Sequence, residues 1–120
     1  MPDLAIPAAN AAVNAVTALI GFLSLHTTDP STTGANEVTG GSYARQAIVF
    51  GAASGGTATT TTAQTFLNMP AVAGNVWIGT WTLVTAGVFE WGGTAAAVTG
   101  PIPAGGSVVF AIGAITGTAS

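Results

Sequence analysis

Apolar residues recur at helical spacing once, near the start of the chain, and alternate with polar ones through most of the remainder. Over residues 8–20, AANAAVNAVTALI, Ala9, Val13, Val16 and Ile20 stand one turn apart. That is the period of an α-helix with a single apolar stripe, and alanine is the best helix former. Pro7 suits the first helical position and Gly21 the stop. Asn10 and Asn14 lie one turn apart on the more polar side. The stripe is narrow, so the helix is expected to dock on a sheet or on a partner.

After Gly21 the chain turns to Val, Ile, Thr and aromatic residues broken by glycine, which is β composition. Phe22–Thr28 predicts a first strand, with Phe22, Ser24 and His26 on one side and Leu23 and Leu25 on the other. Asp29–Gly41 predicts a polar loop and Tyr43–Phe50 a second strand. Thr57–Asn68, with its threonine run, predicts an exposed strand. Asn75–Thr85 is the longest strand signal, with Trp77, Gly79, Trp81 and Leu83 on one face. Gly87–Trp91 predicts a returning strand with Phe89 and Trp91 on one face, then Ala95–Val98 a short one. Val108–Ile112 predicts the last strong strand, running on toward Thr116. One helix followed by short strands with frequent turns predicts a mainly β fold, a small β-sandwich or jelly-roll-like domain with one N-terminal α-helix. Residues 1–21 form its arm and helix and residues 22–120 the β-sandwich, within a single domain.

Composition narrows the function. Charged residues make up 4% of the 120 residues, against about 25% in ordinary soluble domains. A folded monomer of this size exposes roughly 6,000 Å², so its surface is nearly uncharged. Free proteins usually carry more charge than this, and much of the surface is therefore expected to be covered by neighbouring molecules. The lone basic residue, Arg45, cannot neutralise a phosphate backbone, which argues against nucleic acid. There is no cysteine, hence no disulfide framework and no thiolate metal site. Hydrophobic residues at 49% and a mean hydropathy of +0.64 favour a packed core over disorder. Leu4–Leu25 comes closest to a membrane span but is interrupted by Pro7, Asn10, Asn14 and Thr17 and lacks a basic leader, so no membrane partner is expected.

The stretch Leu23–Phe50, LSLHTTDPSTTGANEVTGGSYARQAIVF, resembles the small virion proteins of tailed bacteriophages often labelled tail fibre or minor tail proteins. The resemblance is carried by Ser24-Leu25-His26-Thr27, Asp29-Pro30, Thr33–Val38 and Gly40–Gln46. It is looser beyond, where relatives often place an aspartate-containing segment and this chain has Trp81–Ala86. The resemblance implies a non-enzymatic structural component of a virion. Joined to the charge depletion, it leads to the expectation of a capsid decoration or stabilisation protein bound to the major capsid protein. The alternatives are a minor tail or fibre-base protein among tail proteins, and a carbohydrate-binding module. Self-association, for instance as a trimer, would hide apolar surface.

Candidate chemistry is sparse. His26 with Asp29 and a serine evokes a hydrolytic triad, but no Gly-x-Ser-x-Gly elbow is present. A hydrogen bond from the His26 ring to the following loop is the expectation. Asp29, Asn36 and Glu37 offer oxygen ligands without the alternating acids of a calcium loop. Asp29 is expected to cap a turn, and no metal or cofactor is expected. Arg45, two residues from Tyr43, is expected to pair with Glu37 or Asp29 within the chain, the competing expectation being a contact across a subunit boundary. Trp77, Trp81 and Trp91 suit core or interface packing better than a sugar platform.

Overall fold

A computed structural model describes residues 5–93 and 96–118. The expected arm at residues 1–4, the start of the Ala95–Val98 strand and the last two residues of the chain lie outside the described residues. Helix α1 spans Ile6–Thr17, with proline in its first turn. Strands are found at Phe22–His26 (β1), Gln46–Ala47 (β2), Thr57–Thr59 (β3), Gln64–Phe66 (β4), Trp77–Trp81 (β5), Phe89–Gly92 (β6), Val108–Phe110 (β7) and Thr116–Thr118 (β8). The fold is mainly β with one N-terminal helix, and every strand pair is antiparallel.

A four-stranded sheet has the order β2-β1-β5-β6, and β3-β8 and β4-β7 form two ribbons. On β1, Leu23 and Leu25 lie opposite Thr80 and Ile78, while Ser24 and His26 lie opposite Gly79 and Trp77. Opposed residues share a face, so the sheet has two distinct faces. The first, carrying Leu23 and Leu25, joins Ile48, Phe66, Met69, Val76, Val108 and Phe110 in the main core. The second carries Ser24, His26, Gly79 and Trp81. It too is covered, since Ser24 and His26 are fully buried. The alternation predicted for β1 and β5 matches this arrangement.

The helix stripe falls where its period places it. Ala9 and Val13 are buried and Ile20 joins the core, and α1 packs on β3 and β8. Its two asparagines supply the docking contacts. The Gly56 amide donates to Asn10 Oδ1 at 2.7 Å, and the Ala53 amide donates to Asn14 Oδ1 at 2.9 Å. Gly56 is buried and Ala53 only partly so. An orphaned buried amide costs about 1–3 kcal/mol. Asn10→Ala is therefore expected to destabilise the fold by about 2 kcal/mol and Asn14→Ala by less than about 1 kcal/mol, as read by chemical denaturation.

Five strand expectations are corrected. The single strand expected at Thr57–Asn68 is two, β3 and β4, which pair with β8 and β7 in separate ribbons. Of the expected Ala95–Val98 strand, residues 96–98 hold only an isolated bridge from Val98 to Val76. The second strand shrinks from Tyr43–Phe50 to Gln46–Ala47, because Tyr43 and Arg45 leave the strand to reach Glu37. The last strand divides into β7 and β8, interrupted by a turn in which the Ala114 amide donates to the Ala111 carbonyl. Phe89 and Trp91 do not share a face. The pairing shifts between Thr80 and Trp81, so that Trp91 opposes Thr80 and Phe89 opposes Trp81. Glu90 is the extra residue of a β-bulge, and a bulge reverses facing. Phe89 turns to the second face beside Trp81, and Trp91 packs against the main core.

Candidate functional site

The second face of the sheet and the loop over it gather His26, Asp29, Glu37, Arg45, Trp77 and Trp81, while Tyr43 and Trp91 pack against the main core. Beyond His26 the chain turns over this face and returns alongside β1. The Thr27 amide donates to the Asn36 carbonyl at 3.0 Å and the Val38 amide to the Leu25 carbonyl at 2.9 Å. Glu37 thus stands opposite His26 as an isolated bridge. Asp29 caps the turn, its Oδ1 accepting the Ser31 amide at 2.7 Å. Within the loop, Gly34 has φ +71° and faces the sheet so closely that a Cβ there would meet the Trp81 ring at 2.6 Å. Only glycine meets both demands, the left-handed backbone and the close approach.

Glu37 is the centre of a clamp. Its Oε2 accepts from the Tyr43 hydroxyl at 2.7 Å and from Arg45 Nε at 2.9 Å, while its Oε1 accepts from Arg45 Nη2 at 2.8 Å. This is the forked arginine–carboxylate geometry, about twice as strong as a neutral hydrogen bond. Arg45 Nη1 donates to the carbonyls of Leu83 and Ala86 at 3.1 and 2.7 Å. The guanidinium also lies over the Trp81 ring, 3.8 Å from its centroid, where the ring's electron density favours a cation. Nearly every donor of Arg45 is thus committed within the chain, as the intramolecular expectation had it. Tyr43 ties the clamp to the main core. Its ring stacks on Phe66 with centroids 5.8 Å apart, and its hydroxyl accepts the Leu25 amide at 3.0 Å.

These contacts set the electrostatics. Burial works to raise the Glu37 carboxyl, but Arg45 and then Tyr43 outweigh it and hold the group below the usual carboxylate range. Burial, together with the neighbouring Glu37 carboxylate, pushes the Tyr43 hydroxyl well above its ordinary value. Burial lowers His26 despite its bond to the Ala35 carbonyl, so at neutral pH its ring is uncharged.

A second, buried network adjoins the clamp. His26 Nδ1 lies 2.8 Å from the Ala35 carbonyl, so Nδ1 carries the proton and donates it. Nε2 is then an acceptor and takes the Ser24 hydroxyl at 2.7 Å. Ser24 Oγ in turn accepts the Trp81 indole N–H at 2.8 Å. The loop bond expected of His26 is thus present. A serine within hydrogen-bond reach of a histidine is the contact of a nucleophile and its base. Here both side chains are fully buried, and a carbonyl stands where a triad has its carboxylate. The pair holds together a packed interface.

The remaining candidates disperse. Asn36 donates to Thr28 Oγ1, Asp29 holds Ser31, and Glu37 holds Arg45. The three are thus committed to different partners. Among the described residues no group of three or more His, Cys, Asp or Glu side chains converges as metal ligands would. Trp77 of β5 pairs with His26 of β1, and its buried indole N–H meets no hydrogen-bond partner among the described residues. Trp91 faces away from Trp77 and Trp81, so the three do not form one flat platform. Ser24, Gly79 and Phe89, which the sequence places only as strand residues, complete the site. Gly79 carries the clearest missed signal, because a glycine inside a strand pattern marks close approach.

Among the described residues no helix is long and apolar enough to cross a membrane. Residues 7–118 match the family model described as Podophage GP4 fiber I protein gp80. The match contains the whole Leu23–Phe50 stretch and runs from the first turn of α1 through β8. No curated protein and no solved structure matches the chain.

Proposed function

This chain belongs to the Podophage GP4 fiber I protein gp80 family of tailed-phage virion proteins, and on that premise we propose that it is a non-enzymatic structural component of a podophage tail-fibre assembly. The observation that carries the reading is the extent of the family match, which runs from Pro7 in α1 through all eight strands of the described residues. The tail location replaces capsid decoration as the leading reading, because the family is described by a fibre and charge depletion suits any site in a virion.

The physical role is to hold a rigid, nearly uncharged surface against neighbouring proteins. Between β5 and β6, Leu83, Val84 and Val88 are each more than half exposed, and Arg45 fixes the backbone of this turn through the Leu83 and Ala86 carbonyls. A pre-ordered apolar turn loses little entropy on docking. Copies of the chain and adjoining tail proteins are the partners that would cover it. Particles assembled without this chain are expected to keep filled heads and to lose a tail appendage in negatively stained images. Intact tails on unstable heads would place the chain on the capsid instead.

A further inference from the structure

We propose that His26 is an acid-sensitive latch, whose protonation releases the Asp29–Gly41 loop, and with it Glu37, from the second face of the sheet. The hydrogen bonds around the ring run in one direction, from Trp81 Nε1 to Ser24 Oγ, from the Ser24 hydroxyl to His26 Nε2, and from His26 Nδ1 to the Ala35 carbonyl. Both ring nitrogens are used, and the neutral tautomer is the one that fits. A proton added at Nε2 would point at Ser24 Oγ. The serine would then accept twice, and its own hydroxyl would lose its acceptor in a site closed to water, since Ser24 and His26 are 0% exposed.

The Glu37 charge favours the cation, but burial outweighs it. Glu37 faces His26 across the bridge, but both of its oxygens are committed to Arg45 and Tyr43. Arg45 is a like charge and opposes protonation, and the Tyr43 hydroxyl stays neutral. On the loop itself, Asp29 is turned to the Ser31 amide. Phe89 packs its ring edge-on to His26 with centroids 6.1 Å apart, and Glu90 is next to Phe89 on β6. The imidazolium is solvated only when the loop lifts. The loop's ties to β1 include the Ala35 bond itself and the pairings at Thr27 and Val38, so losing the first weakens the strip that contains the others.

Burial sets the sign. The closed site binds a proton less readily than a solvated histidine, whose ordinary value is 6.5. Opening therefore takes up a proton below that pH, and the opening equilibrium grows by up to about tenfold per pH unit. Native-state hydrogen exchange of the wild-type chain, corrected for intrinsic rates, tests this between pH 7.5 and 5. The Thr27 and Val38 amides are expected to open more at pH 5 than at pH 7.5, by up to about thirtyfold, while amides of the β4-β7 ribbon stay unchanged. A flat profile at Thr27 and Val38, or an equal rise in the ribbon, would overturn the latch. His26→Gln is expected to remove the pH dependence, and its persistence there would also overturn it. Should that variant fail to fold, the wild-type profile alone decides.

Discussion

Arg45→Ala is expected to lower the stability of the fold by about 2–4 kcal/mol, a fall of roughly 10 °C in melting temperature. The side chain is 9% exposed and that of Glu37 21%, so the pair is largely desolvated. Removing the guanidinium leaves a carboxylate that keeps only the Tyr43 hydroxyl, and an unpaired buried charge is costly. The partial access of Glu37 to water places the loss toward the lower part of the range for buried pairs. Arg45→Lys should recover little. A lysine cannot make the fork to Glu37, bond both carbonyls of the 83–86 turn and lie flat on Trp81 at once. Thermal melts of Arg45→Ala, Glu37→Gln and the double variant make a cycle, with an expected coupling of at least about 1 kcal/mol. Additive losses would show that the two side chains act separately and that the clamp is not a unit.

Gly79→Val is expected to cost still more, about 4 kcal/mol, and so a large share of the 5–15 kcal/mol typical of a domain. A Cβ at this position would stand 2.7 Å from His26 Nε2, 2.7 Å from the Phe89 ring and 2.9 Å from Ser24 Oγ. Ser24 and His26 are fully buried and have no room to retreat, and Phe89 is half-buried between His26 and Trp81. The added carbons would push the Ser24–His26 contact apart and leave buried polar atoms unmatched. Gly79→Ala carries the same contacts with less bulk and is expected to cost about 1–3 kcal/mol. Gly74→Ala is the control, since its Cβ would meet nothing within 4 Å, and it should stay within about 0.5 kcal/mol of wild type. Denaturant midpoints measured on the three variants rank them directly.

Local chemistry decided what could be read from the sequence. The helix was legible because alanine propensity and the Ala9–Val13–Val16–Ile20 stripe agree. It ends at Thr17, before the stripe does, and Ile20 completes the stripe from the connection to β1. The two faces of β1 were legible because Leu and polar residues alternate there, and both faces are packed. The Arg45–Glu37 pair was legible for a different reason. With so few charges in the chain, a buried cation has few possible partners.

What escaped depends on chain segments far apart in sequence. Nothing near Asn10 announces that its oxygen will meet the Gly56 amide. Nothing near Arg45 announces the carbonyls of Leu83 and Ala86, which are backbone atoms with no signature in residue type. The bulge at Glu90 reverses Phe89 relative to Trp91, and a period-two pattern has no means of registering one extra residue. The alternation around Tyr43 and Arg45 predicts a strand. Their pull toward one carboxylate, a tertiary effect, shortened that strand to two residues. The candidate site was thus legible as residues and not as an arrangement. His26, Glu37, Tyr43 and Arg45 fall in the stretch that carries the family resemblance, and the structure turns that stretch into the cover of a sheet face.

Labelling this chain on purified particles, with antibody-conjugated gold and counting by quantitative mass spectrometry, tests its place most directly. A fibre-assembly protein is expected to give label confined to the tail, at a few to a few tens of copies per particle. Hundreds of copies spread over the head, or particles free of the chain, would contradict that placement.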